Sequence, residues 1–265
     1  MSQATKSDGF AASQRTGRTL LELALLLGAL VGLFFVSRSV VGCVAERAAL
    51  ALPPALDVRI GEVAGAAVRK GHTGAAPAPE ARARVEGIFN ELVHLLTPAE
   101  LAGLGTPAIT VLNDETPNAF ALPGGQVFVQ TGLLDRVGEG PDGAAQLRGA
   151  LAHELGHAVA RHALRLLARR MAFGLVIGLV MGQGDGLTEA LLAGASQLEG
   201  LKNNRDMETE ADAFGVALMR RGGYEPEGLA KFLETLGSQP VPELLSTHPD
   251  PANRAARIRA NEQKR

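Results

Sequence analysis

The sequence predicts an α+β fold that is mostly helical, contains a small antiparallel sheet and follows one N-terminal transmembrane helix. Ala, Gly and Leu dominate the 265 residues, and aromatic residues make up only 4%, so helices packed through small side chains are favoured. A long apolar run lies near the N-terminus, and two short β-prone runs lie in the middle of the chain. The hydrophobic content of 46% is sufficient for a substantial core.

Charge and cysteine content exclude some classes of protein. The 26 Lys and Arg residues are balanced by 28 Asp and Glu residues, and a net charge of -2 does not provide the basic surface that nucleic acid requires. We therefore expect no nucleic-acid partner. Cys43 is the only cysteine, so the chain cannot form an intramolecular disulfide, and its redox compartment is left open.

The apolar run predicts a single-pass membrane anchor. Residues 23–36 are apolar or glycine without interruption, and residues 19–44 together have the length that a helix needs to cross a bilayer. A cleaved signal is one alternative, because Arg15 and Arg18 precede the apolar core. Basic residues flank both ends, so charge does not fix the orientation.

A second alternative for the same segment is a lipoprotein signal. Val40-Val41-Gly42 before Cys43 resembles the box that precedes a lipidated cysteine, although Arg38 lies unusually close to it. On the anchor interpretation, the chain divides into a tail (1–18), the anchor or signal (19–44), a linker and lead-in (45–79) and one domain (80–265).

Helical spacing and turn signals define the first part of the domain. Apolar residues recur with helical period over residues 80–96, and Thr97-Pro98-Ala99-Glu100 has the layout of a capping box. Residues 109–112 and 126–129 are β-prone, and Pro117 and Pro123-Gly124-Gly125 separate them. These two runs predict the small antiparallel sheet.

Two longer helices are predicted further along the chain. Residues 144–171 contain no proline and are rich in Leu and Ala, and residues 205–221 end at a Gly-Gly pair. The apolar residues 171–181 are too few to cross a membrane, and we interpret them as a buried helix end. The alternative is a hairpin that dips into lipid, with residues 182–186 at its tip.

The run His153-Glu154-Leu155-Gly156-His157 predicts a metal site. Positions i and i+4 share one helix face, so both histidines can direct a ring nitrogen at one ion. Glu154 is offset from that face and can act as a general base on a metal-activated water. Burying these groups on an apolar helix without a ligand would be costly, which favours a metal over a chance match.

A catalytic zinc site also needs a third protein ligand. The metzincin arrangement would require histidine at position 163 and glycine at position 160, but alanine occupies both. His162 is out of register and is interpreted as a packing or supporting residue. A glutamate on a second helix remains, and the candidate run is 205–212.

At this point the chain resembles the M48 family of zinc peptidases, and in particular its single-anchor bacterial members, which act in membrane quality control. The motifs that match are separated in sequence and occur in the family's order. They are Asn118-Ala119-Phe120-Ala121-Leu122-Pro123-Gly124-Gly125, the run 153–157 with Arg161-His162, Glu208-Thr209-Glu210-Ala211-Asp212, and Thr247-His248-Pro249.

The resemblance implies roles for residues that spacing alone does not assign. Glu208 would be the third ligand, and Asp212, one turn later, would support a ligand histidine. His248 would stabilise the oxyanion, and Arg254 would match the family's arginine near the site, with Arg257 as a rival. Glu210 would be a surface or salt-bridge residue.

The resemblance also implies where the substrate binds. Asn118, Ala119, Phe120 and Ala121 would form an edge strand along the cleft, to which an extended peptide adds through main-chain hydrogen bonds. The expected fold is the zincin-like fold of the gluzincin type.

The expected activity is zinc-dependent endopeptidase action on polypeptides in membrane or envelope quality control, with one Zn²⁺ per chain. The expected location is the membrane, with the domain on the periplasmic side of a bacterial inner membrane. A membrane-tethered chaperone or assembly factor with a structural zinc is the alternative from another class. A prenyl-protein protease is a third interpretation, but such enzymes have many membrane spans, whereas this sequence predicts one.

Overall fold

The computed structural model describes residues 4–72, 74–180, 194, 204–238 and 248–263. Within those residues the chain is mostly helical and has one three-stranded sheet, in agreement with the predicted fold class. The helices are α1 (Ala4–Ala49), α2 (Pro54–Gly71), α3 (Pro79–His94), α4 (Pro98–Ala102), α5 (Thr131–Val137), α6 (Gly140–Val159), α7 (His162–Val180), α8 (Arg205–Arg221), α9 (Glu227–Ser238) and α10 (Pro251–Glu262).

Helix α1 contains the predicted apolar segment. Residues Leu25–Ala49 have a mean hydropathy of 2.0, and most of their side chains are exposed. In the part of the chain that the structure describes, this is the one helix long and apolar enough to cross a membrane. It ends at Ala49, shortly before Pro53 and Pro54.

Residues 54–71, which lie in the predicted linker and lead-in, form helix α2. Ile60, Ala64 and Val68 are buried on one face of α2, as their spacing of about one turn requires. The boundary between linker and domain at residue 80 stays a prediction, but the packed body includes α2.

The sheet is small, as predicted, but it is mixed rather than antiparallel. The strands β1 (Ala108–Leu112), β2 (Ala119–Leu122) and β3 (Gln126–Gln130) lie in the order β1-β3-β2. β2 turns directly into β3 through Pro123–Gly125 and pairs with it antiparallel, whereas β1 pairs with β3 parallel. The predicted antiparallel pairing of 109–112 with 126–129 is therefore wrong, because β2 lies between them in sequence and forms the antiparallel hairpin with β3, whereas β1 pairs with the other side of β3 in parallel.

The prediction of one helix over residues 144–171 is also wrong. α6 ends at Val159 and α7 begins at His162, with Arg161 in the left-handed region at φ 55. The Arg161 guanidinium donates to the carbonyl oxygens of Leu50 (3.0 Å) and Leu52 (2.9 Å) and forms an ion pair with buried Asp57. These distant contacts favour a break at a position where the local sequence has neither glycine nor proline.

The other predicted helices are confirmed. The capping box joins Thr97 and Glu100 in both directions, and Asn204 caps α8 by accepting from the Met207 amide at 2.8 Å. α7 continues as a helix to Val180. The side chains of residues 173–180 and the proposed hairpin tip at 182–186 lie outside the described part, so the buried helix end is not tested.

Helix α6 is central to the packed body and contacts α3, α5, α8, α9 and the sheet. Glycines bring its backbone close to two of these neighbours. A Cβ atom on Gly149 would lie 2.5 Å from the Leu229 Cα atom on α9, and one on Gly156 would lie 2.9 Å from the Ala211 carbonyl oxygen on α8.

We expect Gly149→Ala to destabilise the protein by about 1–3 kcal/mol, because the added methyl group meets the backbone of α9 and one helix must shift. Gly87→Ala is the matched control, since a Cβ atom there has no neighbour within 4 Å. It should stabilise α3 by about 0.5–1 kcal/mol. Urea unfolding of the detergent-solubilised chain, followed by circular dichroism, measures both. Equal stability of the two variants would contradict the packing described here.

Candidate metal centre

The two motif histidines lie on one buried face of α6. His153, Glu154 and His157 are all buried, and the Nε2 atoms of the two histidines are 2.9 Å apart. Two ring nitrogens at this distance either share one proton or face a common cation. The predicted geometry of the pair is therefore present in the structure.

Glu208 brings a carboxylate from α8 to the same point. Its Oε1 atom is 3.2 Å from His157 Nε2, and its Oε2 atom is 3.5 Å from His153 Nε2. Ligands about 2.0–2.1 Å from a tetrahedral zinc ion lie about 3.3 Å from one another. The three side chains therefore have the mutual spacing of a zinc ligand set without any rearrangement.

Glycines permit this meeting of two helices. Gly156 on α6 lies against Ala211 of α8, and a Cβ atom on Gly215 of α8 would lie 3.2 Å from the backbone nitrogen of His153. Each glycine thus faces the backbone of the other helix beside the histidine pair. Glycine at position 156 lowers the stability of the helix by about 1 kcal/mol relative to alanine, but it permits this close contact.

The charge at the site favours a divalent cation. The buried charged groups around the histidines, among the residues described, are the carboxylates of Glu154, Glu208 and Asp212 and the guanidinium of Arg254. With all of them ionised, three negative charges and one positive charge leave a net charge of two negatives. Glu208 Oε1 makes no hydrogen bond among those residues, although it is buried. A dication would neutralise the charge and satisfy this oxygen.

The hydrogen-bond partners of the Nδ1 atoms of His153 and His157 determine which ring nitrogen of each histidine can bind a metal. His153 Nδ1 is 3.1 Å from Asp212 Oδ1, so its proton belongs on that nitrogen and Nε2 is free to act as a ligand. Burial by itself would raise the pKa of Asp212, but hydrogen bonds from Arg254 and from His153 outweigh it and lower the pKa to about 2. Asp212 therefore remains an acceptor.

His157 is oriented by a second chain of contacts. Its Nδ1 atom is 2.7 Å from His162 Nδ1, and His162 Nε2 is 3.1 Å from Glu210. Burial lowers the pKa of His162 despite its contact with Glu210, so the ring is neutral. A neutral His162 that donates to Glu210 accepts the Nδ1 proton of His157, which leaves His157 Nε2 as the ligand atom. The structure thus places His162 as a supporting residue and Glu210 in the predicted salt bridge, with Arg165.

Arg254 joins the two buried acidic residues of α8, Glu208 and Asp212. It donates two hydrogen bonds to Asp212, at 2.8 and 2.6 Å, and its Nη1 atom contacts Glu208. Its rival Arg257 is about half exposed and lies 3.8 Å from Asp212. Of the two arginines, Arg254 is the one that lies in the buried site.

His248 is buried and lies against both the predicted ligands and Glu154. Its Nδ1 atom is 3.1 Å from Glu208, and its Nε2 atom is 3.5 Å from Glu154. Burial raises the pKa of Glu154, which makes its carboxylate a better proton acceptor than that of an exposed glutamate. His153, Glu154, His157 and His248 can all present a donor atom within 4.8 Å of one another.

The predicted substrate strand is an edge strand of the sheet and packs on α6. β2 includes Ala119 and Phe120, and the Phe120 ring stacks on Phe128 at a centroid distance of 5.3 Å. Asn118 precedes β2, and its carbonyl accepts a hydrogen bond from the Gln130 amide at 2.9 Å. Among the described residues, no strand pairs with the side of β2 away from β3.

A buried His-His-Glu set with a neighbouring glutamate, carried by two packed helices beside a small sheet, is the arrangement of a gluzincin-type metallopeptidase centre. Residues 79–262 match the family model described as Peptidase family M48. The chain belongs to this family, as the resemblance implied.

Named relatives agree with this assignment. The chain is 36% identical over 155 residues to the mitochondrial metalloendopeptidase OMA1 of Schizosaccharomyces pombe, which covers 56% of this chain and 44% of that protein. It is 32% identical over 173 residues to the β-barrel assembly-enhancing protease of Yersinia pestis, covering 58% and 34%. The corresponding protease of Escherichia coli K12 is 30% identical over 175 residues, covering 57% and 34%. The match spans less than half the length of each relative.

We expect Asp212→Ala to weaken zinc binding about 10–100-fold, because His153 loses the acceptor that fixes its tautomer and orientation. Asp206→Ala, which removes an exposed aspartate from the first turn of the same helix, is the matched control and should leave zinc affinity unchanged. Competition with a fluorescent zinc chelator measures both affinities. Wild-type zinc affinity in Asp212→Ala would rule out this role.

Proposed function

We propose that the protein is a membrane-anchored, zinc-dependent endopeptidase. The observation that supports this most strongly is the buried set of His153, His157 and Glu208, because its spacing and net charge fit one dication and Glu154 lies beside it. Family membership supports the same reaction class. A zinc ion held there would polarise the scissile carbonyl and acidify the attacking water.

The remaining chemistry belongs to side chains of this chain. Glu154 takes a proton from the attacking water and then delivers it to the leaving amine. His248, whose Nε2 atom faces Glu154, donates a hydrogen bond to the oxygen that gains negative charge. Asp212 and Arg254 hold His153 and Glu208 in place and do not contact the substrate.

The substrate would bind as an extended polypeptide along β2. Such a strand gains hydrogen bonds from the backbone of Ala119 and Ala121, and the sequence of its side chains contributes little to them. This mode of binding suits a peptidase that acts on misfolded or misassembled proteins of varied sequence. Quality control of membrane or envelope proteins is the role that we propose.

The proposed location is the membrane, with α1 as a single-pass anchor and the domain on the periplasmic side of a bacterial inner membrane. The apolar segment Leu25–Ala49 supports the anchor. The names of the relatives, one mitochondrial and others concerned with β-barrel assembly, support a role at a membrane.

The test is casein cleavage by the purified full chain in detergent, with zinc measured in the same samples. Glu154→Gln should lower kcat at least about 100-fold, because the base is lost, while zinc content stays at one per chain. Glu86→Gln makes the same change at an exposed position of α3 and should be fully active. Undiminished cleavage by Glu154→Gln would contradict the proposed mechanism, and full zinc without cleavage in the wild type would contradict the proposed function.

A further inference from the structure

Helix α7 runs antiparallel along the anchor helix α1 in a regular register. Arg161 contacts the Leu50 carbonyl oxygen, and Arg165 pairs with Glu46 at 3.0 Å. One turn further, a Cβ atom on Gly42 would lie 3.1 Å from the Arg169 side chain. Each step of four residues forward on α7 is matched by four residues backward on α1, so the two helices lie side by side.

Extended along both helices, this register places the C-terminal end of α7 at the same level as the apolar segment of α1. α7 remains helical for eleven residues beyond Arg169, which is about 16 Å at 1.5 Å per residue. The same distance backward along α1 leads from Gly42 to Val31. Val31 lies inside the segment Leu25–Ala49 that is long and apolar enough to cross a membrane.

Both helices lose their charged residues at the same height. On α7, Arg169 and Arg170 are exposed, and residues 171–180 contain no charged or other polar side chain. On α1, Arg38 is level with the start of this apolar run, and residues 23–36 are apolar or glycine. Arginines at such a boundary can extend their guanidinium groups to lipid phosphates while their stems stay in apolar surroundings.

The apolar surface at this level is not covered by the packed body of the protein. Leu33, Phe34, Phe35 and Val36 of α1, at the level to which the register leads α7, are between 45% and 67% exposed. An exposed apolar surface of this kind on α1, with arginines at its rim, fits the hydrocarbon of a bilayer.

The chain returns to the same side from which α7 departs. A Cβ atom on Gly194 would lie 2.9 Å from the Leu167 side chain and 2.9 Å from the Met171 sulfur atom. Residue 194, fourteen positions after the end of α7 at Val180, therefore lies beside the first half of α7. Residue 194 therefore lies on the side of the proposed membrane from which α7 departs.

We propose that residues 172–180 of α7 are a second membrane-embedded segment, which enters the bilayer beside α1 and does not cross it. Eight residues of rise give a depth of about 12 Å, less than half of a hydrocarbon core of about 30 Å. The partner is the acyl-chain region of the membrane. The inference rests on the proposed anchor and is independent of peptidase activity.

Such a segment would fix the metal centre relative to the membrane. α7 begins five residues after His157, and Arg161 between them binds the carbonyl oxygens at the end of α1. Two embedded helices restrict tilting about the anchor, which a single helix followed by a flexible linker would allow. Substrates would then be cleaved at a set height above the bilayer.

Spin labels in the full chain, reconstituted into phosphatidylcholine–phosphatidylglycerol vesicles, test the proposal. Starting from Cys43→Ser, the labelled variants are Leu175→Cys, Val176→Cys, Ile177→Cys and Leu179→Cys, which together span just over half of the circumference of α7. Phe34→Cys is the control for lipid contact, and Glu86→Cys, at an exposed position of α3, is the control for contact with water. Collisions with oxygen, which concentrates in lipid, are compared with collisions with a water-soluble nickel chelate.

We expect at least one of the four α7 labels to match Phe34→Cys, with oxygen collisions exceeding nickel collisions, and none to match Glu86→Cys. Four labels accessible to nickel, or four labels shielded from both reagents, would overturn the second segment while leaving the anchor intact. Nickel access at Phe34→Cys would overturn the anchor as well. Only variants with the thermal midpoint of the Cys43→Ser protein are compared, so that misfolding does not enter the result.

Discussion

The metal centre depends on the close approach of α6 and α8. The histidines come from one helix and Glu208 from the other, and glycines on both helices allow their backbones to touch beside the ligands. Bringing the helices together also buries three carboxylates against one guanidinium, and a bound cation would compensate the excess negative charge. The packing that brings the proposed ligands together therefore also buries the negative charge that a metal ion would neutralise. Asp212, Arg254 and His162 then determine which ring nitrogens face the ion.

The same region joins the metal centre to the anchor. Arg161 adopts a left-handed conformation that ends α6, and its guanidinium holds the carbonyl oxygens of Leu50 and Leu52 where α1 gives way to α2. Four residues further, Arg165 contacts both Glu46 on α1 and Glu210, which is the partner of His162. The end of the anchor and the support of a ligand histidine thus share one set of side chains. These contacts fix the proposed metal centre to the end of the apolar helix α1, and no flexible linker separates the two.

Local patterns predicted most of the helices and the histidine pair, because capping boxes, helical periodicity and the i, i+4 spacing are properties of short segments. The third ligand was different: spacing left the whole run 205–212 open, and only resemblance to a family selected Glu208. The helix break at Arg161 cannot be predicted from the local sequence, because Arg161 is held by contacts with Leu50, Leu52 and Asp57, which are far away in sequence. Strand propensity likewise locates β1 and β3, but it does not specify which strands are neighbours or in which direction they pair, so it does not predict that β1 and β3 are parallel.

The central claim is that one zinc ion is bound by two imidazoles and a carboxylate at the junction of α6 and α8. X-ray absorption at the zinc edge, on the purified full chain loaded with one equivalent of zinc, tests this most directly. The spectrum should show two imidazole ligands at about 2.0–2.1 Å, oxygen atoms in the remaining positions and no sulfur. A spectrum without imidazole scattering, or one with zinc bound through Cys43, would contradict the assignment.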